Sequence, residues 1–201
     1  VPGAKGADLV GVAHLDATTG ELSATVLAAA TLIDELMRIA PREIVVAADL
    51  LGDSARAQQL ATVRTRSRVP WNAAPMPDEA EARRELGALV VVESAAALAH
   101  RELAIRAAAG VVAYARSTQP TGVLPIVKLQ LYQPGDSVVL DEAAIANLEL
   151  VETLIGRHKQ GSLRDVIDAT ATAPGGRLLR RWMLYPLIDV EKIRRRQDAV
   201  A

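Results

Sequence analysis

Residues 9–26 read Leu-Val-Gly-Val-Ala-His-Leu-Asp-Ala-Thr-Thr-Gly-Glu-Leu-Ser-Ala-Thr-Val, and they decide how the chain begins to fold. A short apolar run ends at Asp16, and residues 17–20 have the composition of a turn. From Glu21 the pattern alternates, with Leu22, Ala24 and Val26 on one face and Glu21, Ser23 and Thr25 on the other. That pattern predicts a β-hairpin. Residues 31–39 then place Leu32, Leu36 and Ile39 at helical spacing and stop before Pro41, and the β-branched run 44–47 is too short for a helix. The expected order is β-β-α-β.

Farther along, residues 53–60 predict a short helix, and the three prolines of 69–77 require extended or looped chain. Asp78 or Glu79 opens a charged helix through Leu86, and residues 94–117 form an alanine-rich helix that is apolar on nearly every side from 107 to 115. The breaker Thr118-Gln119-Pro120-Thr121-Gly122 ends it. Residues 126–132 and 137–140 then suggest a second hairpin. Asp141 is placed to cap a helix carrying Ile145, Leu148, Val151 and Ile155. Ser162 with Asp165 caps another, and Pro174 suits the first turn of a third. In that third helix Leu178, Leu179, Trp182 and Met183 make one apolar stripe, expected to be buried, and Asp189 caps a fourth helix. The C-terminal third is therefore expected to be all helix. The expected division is an α/β part at 1–105 and a helical part at 106–201.

Composition narrows the chemistry. In 201 residues half are apolar and 23% charged, which is the balance of a folded globular chain. With no Cys there can be no disulfide, cysteine-ligated zinc or thiol nucleophile, and a cytoplasmic setting is expected. No membrane span is encoded, since even 22–33 is broken by Ser23, Thr25 and Thr31. The chain opens Val-Pro-Gly without Met and stops inside a helical pattern, so it reads as an excised piece. Its net charge of -1 hides an asymmetry: residues 1–156 hold 13 basic and 19 acidic side chains, residues 157–201 hold 10 and 5.

No phosphate-binding loop is present, because Pro174-Gly175-Gly176-Arg177 lacks both its spacing and its Lys. No cofactor or metal site is assigned. His14, His100 and His158 are isolated and suit structural roles. Asp16, at the end of the first strand, is where a ribonuclease-H-like nuclease would hold a metal, but its candidate partners Asp34, Glu35 and Asp49 show no pattern, so a solvated turn is the competing reading. The strongest charge feature is Arg177, Arg180 and Arg181 followed by Lys192, Arg194, Arg195 and Arg196. Two readings stay open for it: a solvated helix face, or contact with phosphates or acidic partners. With five aromatic residues and no Phe, a base-stacking platform is not expected.

The C-terminal third carries a resemblance. Leu140-Asp141-Glu142-Ala143-Ala144-Ile145-Ala146-Asn147-Leu148-Glu149 is similar to the L-D-x-x-T-x-x-N-L-E segment of the MutS family of DNA mismatch-repair proteins. Gly161-Ser162-Leu163, Asp168, Thr170, Thr172, Gly175-Gly176-Arg177-Leu178-Leu179-Arg180-Arg181-Trp182 and Pro186-Leu187 resemble that family's S-L-x-x-x-L-D-x-T-x-T-x-x-G-x-R-L-L-R-x-W-x-x-x-P-L run. Residues 15–21 resemble its L-D-x-S-T-G-E hairpin. Ile145 stands where the family has Thr, and Gly176 where it has Ser.

The resemblance implies a ribonuclease-H-like α/β connector domain over 1–105 and the start of the helical core, or lever, domain over 106–201. It implies structural roles for Asp141, Asn147, Glu149 and Trp182, and an interdomain or interaction role for Arg177, Arg180 and Arg181. The parent is expected to be a dimeric ATPase using ATP and Mg, clamping mismatched duplex DNA beside a second MutS-like subunit and recruiting MutL. This chain, lacking the Phe-x-Glu reading motif and the Walker A loop, is expected to be non-catalytic: a link and a MutL docking surface. The rival readings are a metal-dependent ribonuclease-H-like nuclease and a free-standing helical adaptor.

Overall fold

The computed structural model describes residues 8–52, 54–67, 69–87, 89–92, 99–118, 124–138 and 140–200. The chain forms two compact units, Val1–Gln133 and Pro134–Ala201.

The first unit opens with the expected hairpin. Strands β1 (Leu9–Asp16) and β2 (Glu21–Ala28) pair antiparallel from Leu9 opposite Ala28 to Asp16 opposite Glu21. Gly20 closes the turn at φ 73, and a Cβ there would lie 2.1 Å from the Pro125 carbonyl oxygen, so glycine is needed both for conformation and for space. Helix α1 (Leu32–Ile39) and strand β3 (Ile44–Ala47) complete the expected β-β-α-β start. Helices α2 (Ala48–Gly52) and α3 (Ser54–Ser67) follow; α3 outlasts the predicted end at residue 60, keeping Leu60 and Val63 against the core. Asp53, where the prediction began, lies outside the described residues. Strand β4 (Trp71–Ala74) pairs parallel with β3 as a two-stranded sheet.

Asp78 caps helix α4 (Glu79–Leu86) through a reciprocal box with Glu81. Strand β5 (Val90–Val92), helix α5 (Arg101–Thr118) and strand β6 (Lys128–Leu131) finish the unit. The main sheet runs β1-β2-β6-β5, with β6 parallel to both neighbours. Strand alternation divides the core between its faces. Leu22, Ala24, Leu129 and Leu131 pack with Ala82 and Leu86 of α4 and Ala104, Ala108, Ala109 and Val112 of α5. Val12 and Leu27 pack with Leu32 and Leu36 of α1. Gly11 of β1 is needed for space: a Cβ there would sit 2.2 Å from the Leu103 carbonyl oxygen of α5, so helix and strand backbones almost touch.

Two sequence expectations fail here. Among the described residues, 126–132 do not pair with 137, 138 or 140, and 139 lies outside them: β6 goes into the main sheet, where Leu129 and Leu131 are fully buried, while Pro134–Asp136 is a 3-10 turn and Ser137 bridges Leu187. Burial of two leucines outweighs a local hairpin. The division expected at 105/106 falls inside α5, whereas the compact units part between Gln133 and Pro134. Helix α5 packs on β1 and β2, and β6 completes their sheet, so both belong to the first unit. Residues 94–98, the predicted start of α5, lie outside the described residues.

The second unit holds helices α6 (Glu142–Asn147), α7 (Leu163–Ile167), α8 (Ala173–Leu184) and α9 (Val190–Asp198). Asp141, Ser162 and Asp189 cap their helices as expected, and Thr172 caps α8 with a proline in its first turn. This part is not helix throughout: α6 stops at Asn147 instead of running to residue 155. Glu149 takes a left-handed φ of 47, and Gly156 and Arg157 do so again at 84 and 50, so 148–162 is turns and bends. Leu184 and Ser162 are buried, while Ile155, Val166 and Val200 are 88%, 78% and 72% exposed.

Candidate interaction surface

Helices α8 and α9 carry the basic residues singled out from the sequence. Thr172 Oγ1 accepts the Gly175 N–H at 3.2 Å, which starts α8, and Asp189 Oδ1 accepts the N–H groups of Glu191 and Lys192 at 2.9 and 3.2 Å, which starts α9. Arg177, Arg180 and Arg181 follow at i, i+3, i+4 spacing, yet they do not share one environment. Arg177 is exposed, while Arg180 and Arg181 are half-buried. Burial, with Arg164 close by, pushes the Arg180 guanidinium down from its ordinary value. On α9, Arg195 reaches Glu191 at 4.0 Å across exposed surface. Arg196 instead lies over the Trp182 ring, 4.3 Å from its centroid, and burial lowers its pKa.

Trp182 is therefore half-buried beneath a cation, not enclosed in an apolar stripe. Leu178 of that stripe is 40% exposed, and Leu184 is the buried large side chain of α8. Trp182, Arg196, Gln197 and Val200 line an open groove.

Asp141 and Glu149, also marked from the sequence, hold local structure. Asp141 accepts the Ala144 N–H at 2.6 Å. Glu149 Oε1 accepts the Leu154 N–H at 2.7 Å, and its carbonyl accepts from Leu163 at 3.0 Å, tying the turn region to α7. Asn147 is exposed at the end of α6.

Two ionic clusters escaped the sequence reading. In the second unit Asp168 collects Lys159 Nζ at 2.8 Å, Thr170 Oγ1 at 2.6 Å and Arg164 Nε at 3.5 Å. Lys159 and Thr170 hold its carboxyl well below the usual carboxylate range. Arg164 also donates to the Gly176 carbonyl at 3.3 Å, beside a glycine whose Cβ would lie 3.3 Å from Thr170 Oγ1. In the first unit Glu35, Arg38 and Tyr132 form a second cluster. The local traces of these clusters were the spacings of Glu35 to Arg38, Arg164 to Asp168 and Asp168 to Thr170.

Asp16 serves the hairpin turn, its Oδ1 accepting Thr18 N–H at 2.9 Å, Thr18 Oγ1 at 2.6 Å and Thr19 N–H at 3.3 Å. Two of its three supposed metal partners are engaged elsewhere: Glu35 takes the Tyr132 hydroxyl at 2.6 Å and Asp49 accepts from Leu50 N–H at 3.1 Å. Among the described residues no three His, Asp or Glu side chains lie together as a metal site, and no helix is long and apolar enough to cross a membrane. His14 packs edge-on against Tyr132, and His100 lies 3.4 Å from Glu102.

Comparison with known proteins accounts for both units. Residues 3–129 match the family model of MutS domain II, and residues 143–201 that of MutS domain III, on either side of the Gln133/Pro134 division. The chain is 42% identical over 197 residues to a DNA mismatch repair protein MutS of Sorangium cellulosum, covering 94% of this chain and 20% of that one. It is 38% identical to that of Thermosynechococcus vestitus, covering 95% and 23%. Over 103 residues, 51% of this chain and 9% of the relative, it is 50% identical to that of Roseiflexus castenholzii. The chain thus spans about a fifth of the length of the full-coverage relatives.

Proposed function

Because the chain belongs to the MutS family of DNA mismatch-repair proteins, we propose that it is a non-catalytic link within such a protein, and that its first unit is a docking surface for MutL. The observation that carries this is the ordered pair of matches, domain II and then domain III, on two separately packed units. On this reading the first unit is a ribonuclease-H-like connector domain whose sheet is scaffold, since Asp16 holds a turn and Glu35 a buried pair. The second unit begins the lever, where packed helices pass nucleotide state toward the DNA clamp; such a relay needs rigid elements with two arrangements. ATP and Mg act in the rest of the parent, which pairs with a second MutS-like subunit on mismatched duplex DNA in the cytoplasm. Arg177, Arg180 and Arg181 pair with acids of neighbouring domains.

The test is titration of the 201-residue chain with the N-terminal region of a MutL protein. Binding in the micromolar range, about 8 kcal/mol, is expected of a transient interface. No binding at about ten times that concentration would move the docking surface elsewhere in the parent.

A further inference from the structure

The first unit encloses an ionic cluster that the link-and-docking reading leaves without a role. Glu35 and Arg38, one turn apart on α1, are each 3% exposed, with Arg38 Nη1 3.4 Å from Glu35 Oε2. The other carboxylate oxygen, Oε1, accepts the Tyr132 hydroxyl at 2.6 Å across 97 residues of chain. Tyr132 directly follows β6, and its own N–H extends the ladder by donating to the Ala24 carbonyl at 3.1 Å. One residue later the unit ends.

Stability alone does not call for such a cluster. Desolvating two charges offsets most of their attraction, and an apolar replacement of similar volume is often as stable. What the pair adds is direction. Strand β6 is four residues long and meets β2 at Leu22 opposite Leu129, Ser23 opposite Gln130 and Ala24 opposite Leu131. A slide by one residue would turn Leu129 and Leu131 away from the core, and burial forbids it. A slide by two residues would not, because Val127, Leu129 and Leu131 alternate and each would take its neighbour's place. Apolar packing distinguishes these two registers poorly. The Tyr132 hydroxyl distinguishes them sharply, since only the observed register brings it to the Glu35 carboxylate that Arg38 holds in place.

We infer that the Glu35–Tyr132 hydrogen bond, with Arg38 behind it, is a register lock that fixes the last strand of the first unit and so the point where the chain leaves it. Tyr132 is a positioning residue, and the readout must separate register from bulk stability. The experiment is amide hydrogen exchange on the full chain for wild type, Tyr132→Phe and the core truncation Val112→Ala. Tyr132→Phe should speed exchange across residues 128–133 by about tenfold or more while leaving α4 and α5 unchanged, which is local opening of one segment. Val112→Ala should instead speed exchange throughout the unit. Uniform acceleration in Tyr132→Phe, loss of its fold, or no change at 128–133 would each overturn the lock.

Discussion

The guanidinium of Arg196 covers the ring of Trp182 at 4.3 Å, joining α9 to α8 by a cation on an aromatic face. This contact sets the scale of the first prediction. Trp182 is half-buried, so Trp182→Ala should cost about 1–3 kcal/mol, less than the roughly 3–5 kcal/mol of a fully buried Trp. Arg196→Ala should cost about 0.5–1 kcal/mol, and the double variant should show most of that as coupling. Denaturant unfolding followed by far-UV circular dichroism, which needs no tryptophan reporter, measures all three. Strict additivity would show that the stacking contributes nothing.

The second prediction concerns Asp16, at the end of β1, the residue that the rival nuclease reading would need to hold a metal. Its carboxylate is committed to Thr18 and Thr19 in the turn. Asp16→Asn should therefore leave the chain as inert toward DNA and RNA hybrids as wild type, with Mg or Mn present. Asp16→Ala should lower stability by about 1 kcal/mol through the lost turn bonds. Metal-dependent cleavage above a blank, abolished by Asp16→Asn, would restore the nuclease reading.

These contacts show where sequence was sufficient. The hairpin, and the caps at Asp78, Asp141, Ser162 and Asp189, were legible because each depends on a few adjacent residues. The place of β6 was not, because its partners β2 and β5 lie far away in the chain and a hairpin with 137–140 satisfied the same local pattern. Nor was the end of α6, since Leu148, Val151 and Ile155 keep helical spacing beyond Asn147, where Glu149 turns left-handed. At the candidate surface the i, i+3, i+4 spacing of the α8 arginines was correct, but spacing cannot say that Arg180 and Arg181 are half-buried or that Arg196 of another helix stacks on Trp182.

The third prediction is a pH dependence. Lys159 and Thr170 hold the Asp168 carboxyl below its ordinary value near 3.8, so the folded state favours the charged form. The stability this gives is fully present above the unfolded value and is lost as pH falls through the lower folded value. Asp168→Asn should thus destabilise the second unit by a constant amount from neutral pH down to about 5. Below about pH 4 the gap to wild type should close. Urea unfolding across that range reads it directly, and a gap that widens toward acid would reverse the assigned sign.

The last prediction separates phosphate contact from packing in the basic helices. A duplex DNA site needs its cations together and open to solvent, and neutralising several phosphates makes affinity fall steeply with salt. Arg177 is exposed, but Arg180 and Arg181 are half-buried, and burial disfavours the charge of Arg180. Arg196 is turned onto Trp182. The isolated chain should therefore bind duplex DNA only feebly and without preference for a mismatch. An Arg177/Arg180/Arg181→Ala variant should lose stability, through the buried stems of two of the three side chains, more clearly than it loses DNA affinity. A salt series of DNA binding, paired with unfolding of the same variant, distinguishes the two roles. Submicromolar binding near physiological salt that the triple variant abolishes while staying folded would make this segment a direct DNA contact.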